Sequence, residues 1–246
     1  MISLQSHASV SQTVSTNIRW IAGVFLLTVL SAAANAQEVR YSWLDMSFMA
    51  QDVDRMGSQM PIVGQTVDIN GTDGSGVKFR GSVGTWHNLY MFFEYAGTDI
   101  DVAAVVTNDQ GQFPAEDEFD YTAVRAGAGL RFPLGVKTDI YGELTYDSLD
   151  FDFGSFAGED FDANEQDVGG ALGIRAMLTD DLEIRADGRY TGVGDIDLNT
   201  KEFGNDTLFG AGFGWQIVRG LSIVGDYEAG EFSSWSIGFR LDLDED

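Results

Sequence analysis

Along GVKFRGSVG (76–84), Val77, Phe79, Gly81 and Val83 occupy one phase, while Lys78, Arg80 and Ser82 occupy the other. Successive side chains of a strand point to opposite faces, so this segment is oily on one side and cationic on the other. The same period of two recurs in segments of about ten residues. These are YSWLDMSFMA (41–50), GVKFRGSVG (76–84), LYMFFEYAG (89–97), FDYTAVRAGAGLRF (119–132) and IYGELTYDS (140–148). DVGGALGIRAML (167–178), LEIRADGRYTG (182–192), TLFGAGFGWQIV (207–218), LSIVGDYEA (221–229) and FSSWSIGFRLDL (232–243) complete the series. No sustained helical period appears beyond residue 37.

The connections alternate in length. Those after the first, third, fifth and seventh segments are long and polar (51–75, 98–118, 149–166 and 193–206), and those between them are the short TWHN, PLGVKTD, TDD and RG. This pattern predicts an all-β, single antiparallel transmembrane β-barrel of ten strands, with long extracellular loops and short periplasmic turns. Eight strands is the alternative if the last hairpin is misread, because the connection at Ala229-Gly230-Glu231 is short where a long one is expected.

The charged phase decides which side faces in. It starts with Asp45 and continues through Lys78, Arg80, Glu94, Arg125, Arg131, Glu143, Asp147 and Arg175. It ends with Glu183, Arg185, Asp187, Arg189, Asp226, Glu228 and Arg240. The opposite phase reads Leu44, Met46, Phe48, Val124, Leu130, Leu144, Leu172, Phe213, Ile237 and Phe239, with Asp120 as an exception near a strand end. Tyr95, Phe132, Tyr146, Tyr190, Trp215, Tyr227 and Trp235 lie toward the strand ends on that oily face, as interfacial girdles require. A β-sandwich also alternates, and a soluble, secreted acidic sandwich acting as a binding module or adhesin stands as the competing class. Interleaved opposite charges suit a narrow lumen, where they must pair. The expected lumen charge network is Lys78, Arg80, Glu94, Arg125, Arg131, Glu143, Asp147, Arg175, Glu183, Arg185, Asp187, Arg189, Asp226, Glu228 and Arg240.

Composition narrows the picture further. Arg19, the apolar run WIAGVFLLTVLSAA and Ala34-Asn35-Ala36 make a charged region, an apolar core and a small-residue cleavage site. The run is short of the roughly 20 residues of a membrane-spanning helix. Residues 1–36 are therefore expected to be a signal peptide removed after Ala36, leaving 37–246 as the outer-membrane barrel domain; an uncleaved anchor is the alternative. The remaining chain holds 13 basic and 39 acidic residues, which argues against nucleic acid as a partner. With no cysteine, an exported chain has no disulfide framework to rely on.

FRGSVGTWHNLYMFFEY (79–95) resembles a hairpin of the small, porin-like outer-membrane β-barrel proteins of Gram-negative bacteria, and GALGIRAMLTDDLEI (170–184) resembles a later one. The resemblance runs through most of the mature chain. It implies an integral outer-membrane location, no enzymatic activity, and passage through the barrel-assembly machinery. One departure is the C-terminus, which runs past Phe239 into LDLDED instead of finishing on an aromatic residue.

No catalytic set can be assembled. Of two histidines, His7 falls in the leader and His87 in a short turn, so the nucleophile–base pairs of barrel enzymes have no base at the rim. No resident cofactor is expected. The acidic loops are a different matter: in DINGTDGSG (68–76), Asp68, Asn70 and Asp73 beside glycines offer hard oxygen ligands for a weak Ca²⁺ site. A looser reading has many carboxylates holding Ca²⁺ or Mg²⁺ between the protein and lipopolysaccharide. The lumen itself is expected to be plugged or very narrow.

Overall fold

A computed structural model describes residues 39–52, 59–62, 65–85, 88–156, 159–197, 202–230 and 232–243. The expected leader (1–36) and His87 lie outside the described residues. The strands are β1 (Trp43–Asp52), β2 (Gln59–Ile62), β3 (Gln65–Gly84), β4 (Leu89–Asn108), β5 (Gly111–Pro133) and β6 (Thr138–Phe156). β7 (Glu159–Met177), β8 (Leu182–Asp197), β9 (Glu202–Val218), β10 (Leu221–Ala229) and β11 (Ser233–Asp242) follow. β1 pairs antiparallel with β11 on one side, Trp43 against Asp242, and with β3 on the other, Trp43 against Ser82. Ten strands thus close into a ring, and the short β2 stands outside it, paired along the start of β3.

Closure settles barrel against sandwich. The ring leaves no edge in its lower part, and its oily phase points outward with nothing against it: Leu144 is 77% exposed and Leu172 68%. Such a band of apolar side chains around a closed sheet is stable in hydrocarbon, where every backbone group must pair within the protein. Tyr146, Tyr190, Tyr227 and Trp235 face out at one margin of the band, and Phe132 and Trp215 at the other. The turn between β9 and β10 is two residues long, and Gly220 takes the positive φ of 77° that a larger residue adopts only under strain.

The long connections differ from expectation. Much of what the sequence presents as loop is strand: β4 and β5 stay in register to Asn108 against Gly111, and β6 and β7 pair on to Phe156 against Glu159. Above the oily band the two faces exchange character. On β6, Leu144 and Tyr146 face out with Thr145 and Asp147 buried inside; four residues on, Asp150 and Asp152 face out with Leu149 and Phe151 inside. β4 and β5 switch in the same way, with Asp99 and Asp101 outside Ile100, and Glu118 and Asp120 outside Phe119. Water replaces lipid at that height, so the protruding hairpins are built as soluble sheets with an apolar inside. β7 and β8 pair only as far as Gly169 against Thr191 although both strands continue, so the β6–β7 and β8–β9 hairpins part company there.

Across this outer wall Asp99, Asp120 and Asp152 stand opposite one another on β4, β5 and β6. Partial desolvation, then a hydrogen bond shared with Asp99 and the charges of Asp99 and Asp152, raises the Asp120 carboxyl above its ordinary 3.8. A folded-state pKa above the unfolded value contributes stability at low pH that is lost as pH rises through the folded pKa. Asp120→Asn should therefore flatten the pH dependence of the urea midpoint on the alkaline side of pH 3.8 and raise the midpoint at neutral pH. A midpoint–pH curve identical to that of the parent would show that the row does not couple.

Candidate functional site in the barrel interior

The inner wall is layered. At the end carrying the short turns, Val39, Tyr41, Tyr90, Tyr141 and Met177 form a buried cluster, with the Tyr41 and Tyr90 rings 4.7 Å apart. The guanidiniums of Arg175 and Arg131 lie over the Tyr41 ring at 4.6 and 5.2 Å, within cation–π range. At the hairpin end Phe119, Tyr121, Phe151 and Phe232 pack with ring centroids 5.0–5.9 Å apart, and Phe151 is fully buried. The tyrosines of the turn end fit because glycines face them: a Cβ on Gly129 would run into the Tyr90 ring, and one on Gly173 into the Tyr141 ring.

Between these layers ion pairs join in a chain. Arg175 meets Glu183 at 2.7 Å, Glu183 meets Arg240 at 3.2 Å, and Arg240 lies 4.0 Å from Asp45. Asp45 pairs with Arg80 at 2.7 Å, Arg80 with Asp226, and Asp226 with Arg185 at 2.7 Å. Arg185 reaches Asp187 at 3.4 Å, where the Tyr141 hydroxyl donates a hydrogen bond of 3.1 Å. Four guanidiniums and four carboxylates therefore alternate without a break. Arg80 and Arg240 also lie over the Trp43 ring, at 5.7 and 4.4 Å.

Further pairs flank the chain. Arg125 bridges Glu94 and Asp147, each at 3.4 Å, and Arg189 meets Glu228 at 2.8 Å. Tyr90 donates to Glu143 at 2.7 Å, and Arg131 sits 3.7 Å from Asp139 near the turns. Of the residues expected in the network, the ion pairs among the described residues pass by two: Glu143, which accepts from Tyr90, and Lys78, which has no carboxylate within 4.0 Å. Asp45, outside the expected network although on the charged phase of β1, joins its two halves. The tyrosines of the lower layer were not legible as partners, because nothing in a phase count marks a hydroxyl that caps a carboxylate.

Among the described residues, cavities of about 70 and 80 Å³ lie in the interior. Lys78, Glu94, Arg125, Arg189 and Glu228 border both. Asp73 of the expected Ca²⁺ site is exposed on the outer wall, and the side chains of Asp68 and Asn70 lie outside the described residues. Among the described residues no three acidic or histidine side chains converge as a metal site.

Residues 22–241 match the family model described as outer membrane protein beta-barrel domain. The chain belongs to this family. The protein is thus an outer-membrane barrel. No curated protein matches the sequence. Among solved structures it is similar to the outer membrane protein OprG from Pseudomonas aeruginosa, with 12% identity and a TM-score of 0.44 over 85% of this chain and 99% of that one. It is also similar to the beta domain of the Bordetella autotransporter BrkA (13% identity, TM-score 0.45, 82% and 99% of the chains). The third is Neisserial surface protein A, at 14% identity and a TM-score of 0.38 over 82% and 97% of the chains.

Proposed function

We propose that this outer-membrane barrel has a narrow bore, made rigid by its paired charges and closed to the free diffusion of solutes, with at most a thin path for small ions. The observation behind this reading is the unbroken chain from Arg175 to Asp187 between two aromatic layers. A ten-stranded barrel lies close in size to eight-stranded ones, whose interiors side chains can fill, and far from the 16–18 strands of open porins. Outside, the carboxylates Asp52, Asp73, Asp99, Asp101, Asp120, Asp150 and Asp152 stand above the oily band and attract cations. Since no three of the described acidic groups converge, a divalent ion held there would share its ligands with a lipopolysaccharide phosphate. This contact would be weak and salt-sensitive.

Single-channel recording in planar bilayers tests the bore. Refolded 37–246 should pass little current, in brief small steps. Arg185→Ala/Arg189→Ala should pass more, and adding Phe151→Ala should enlarge the steps again by thinning the outer aromatic layer. Porin-sized current from the parent protein would refute a narrow bore. A leak unaffected by all three changes would mean that these side chains do not line the path.

A further inference from the structure

We propose that Lys78 anchors an interior binding site for a small carboxylate anion, such as acetate. The site lies within the narrow bore and rests on that reading for its enclosure. Lys78 projects inward from β3 and is 8% exposed. The arginines pointing into the same interior each have a carboxylate within 4.0 Å; Lys78 has none among the described residues. Glu94 and Asp226 feel its charge, yet Glu94 already pairs with Arg125, and Asp226 with Arg80 and Arg185. A buried ammonium without a close counter-charge is costly, and an anion that fits beside it offsets that cost.

The surroundings leave room for one. Directly across from Lys78 stand Ser47 on β1 and Ala96 on β4, both small. The Ser47 hydroxyl is buried without a hydrogen-bond partner, as is that of Thr98, two residues beyond Ala96. Lys78 borders both interior cavities, and the one of about 70 Å³ is two-faced. Its polar lining holds Lys78, Arg125 and Arg189 with Glu94, Asp147 and Glu228, and Tyr121, Leu208 and Phe232 supply apolar surface. Arg125 already holds Glu94 and Asp147, and Arg189 holds Glu228, so Lys78 is the group left to take an anionic end, with apolar surface for the other end. At about 15 Å³ per water-sized probe sphere, 70 Å³ holds only a few non-hydrogen atoms. Acetate has that size and that polarity, whereas chloride has no apolar end and longer acids would displace the aromatic layer.

The chain has three lysines, Lys78, Lys137 and Lys201, so protein labelled with ¹³C at the lysine ε-carbon gives a spectrum simple enough to read in micelles. The Lys78 signal is the one missing from Lys78→Met. Titration with sodium acetate should move it along a saturating curve, while neutral acetamide leaves it in place. Lys78→Met that retains the heat-dependent gel mobility of a folded barrel should bind acetate, read by saturation transfer to the acetate methyl protons, at least about tenfold more weakly than the parent read the same way, the loss expected for one charge-assisted hydrogen bond. Ala96→Leu, which fills the space beside an intact Lys78, should block the titration as well; this variant decides the matter if Lys78→Met does not fold. An unmoved or merely linear Lys78 response in the parent protein overturns the site, and equal saturation by chloride and acetate overturns the carboxylate assignment. Because binding is read in micelles, a silent bilayer with a saturating titration sinks the ion path and leaves the site standing.

Discussion

Replacing Arg80 by alanine is expected to destabilise the barrel by roughly 3–5 kcal/mol, the range for removing one partner of a buried ion pair. Arg80 holds the two halves of the interior chain together: it pairs with Asp45 on β1 and Asp226 on β10, and its side chain is 5% exposed. Without it, two carboxylates stand buried with Arg240 at 4.0 Å from one and Arg185 at 2.7 Å from the other. The loss should come mainly from stranded charge and much less from lost contact. Asp45→Asn and Asp226→Asn added to Arg80→Ala should therefore restore a good part of the stability, against the usual trend that three core changes are worse than one. Equilibrium urea titrations of folding into lipid vesicles provide the measurement. If the triple variant is no more stable than Arg80→Ala, packing around the guanidinium matters more than charge balance.

Leu172→Arg probes the opposite wall. Leu172 faces outward in the oily band, and its cross-strand neighbours Gly142 and Gly188 offer no side chain to shelter a charge. Arginine near the bilayer midplane of a barrel costs roughly 2–4 kcal/mol, so the variant should fold into vesicles with a lower urea midpoint and lower yield. Asp150→Arg on β6, above the exchange of faces, should cost far less, because its side chain meets water and headgroups. Equal effects at the two positions would mean that the band has been placed at the wrong height.

The strands inside the band were legible because lipid and lumen impose opposite demands on alternate residues. Arg185, Asp187 and Arg189 against Ile184 and Tyr190 leave one assignment of faces for β8. The same rule misled above the band. FDYTAV begins with Phe119 inside and Asp120 outside, and LDFDF places Leu149 and Phe151 inside between Asp150 and Asp152. Counted with the band's polarity, these segments have their charges on the wrong face, so LDFDF reads as loop and Asp120 as an exception at the end of a strand. Their alternation is intact; what changes is the solvent. The aromatic layer of Phe119, Phe151 and Phe232 was hidden for this reason, since each sits where the outward residues are acidic or small. The Arg80–Asp226 link was hidden for another. β3 and β10 are separated in the sheet by β1 and β11, and register alone does not tell how far a long side chain reaches across a lumen.

The seam at β1 also sets the order of events during assembly. β1 is the first strand of the ring, yet one of its two neighbours is β11, the last. That pairing spans nearly the whole chain, and the loop it closes is the most expensive in entropy. The Arg80–Asp226 and Asp45–Arg240 contacts likewise join early residues to late ones, so the interior chain of charges is complete only once the ring has shut. Hairpins such as β4–β5 can form locally and early, while the ring forms in a single late step. A barrel that has not yet closed therefore offers β1 and β11 as open strands, each with one row of backbone donors and acceptors unpaired.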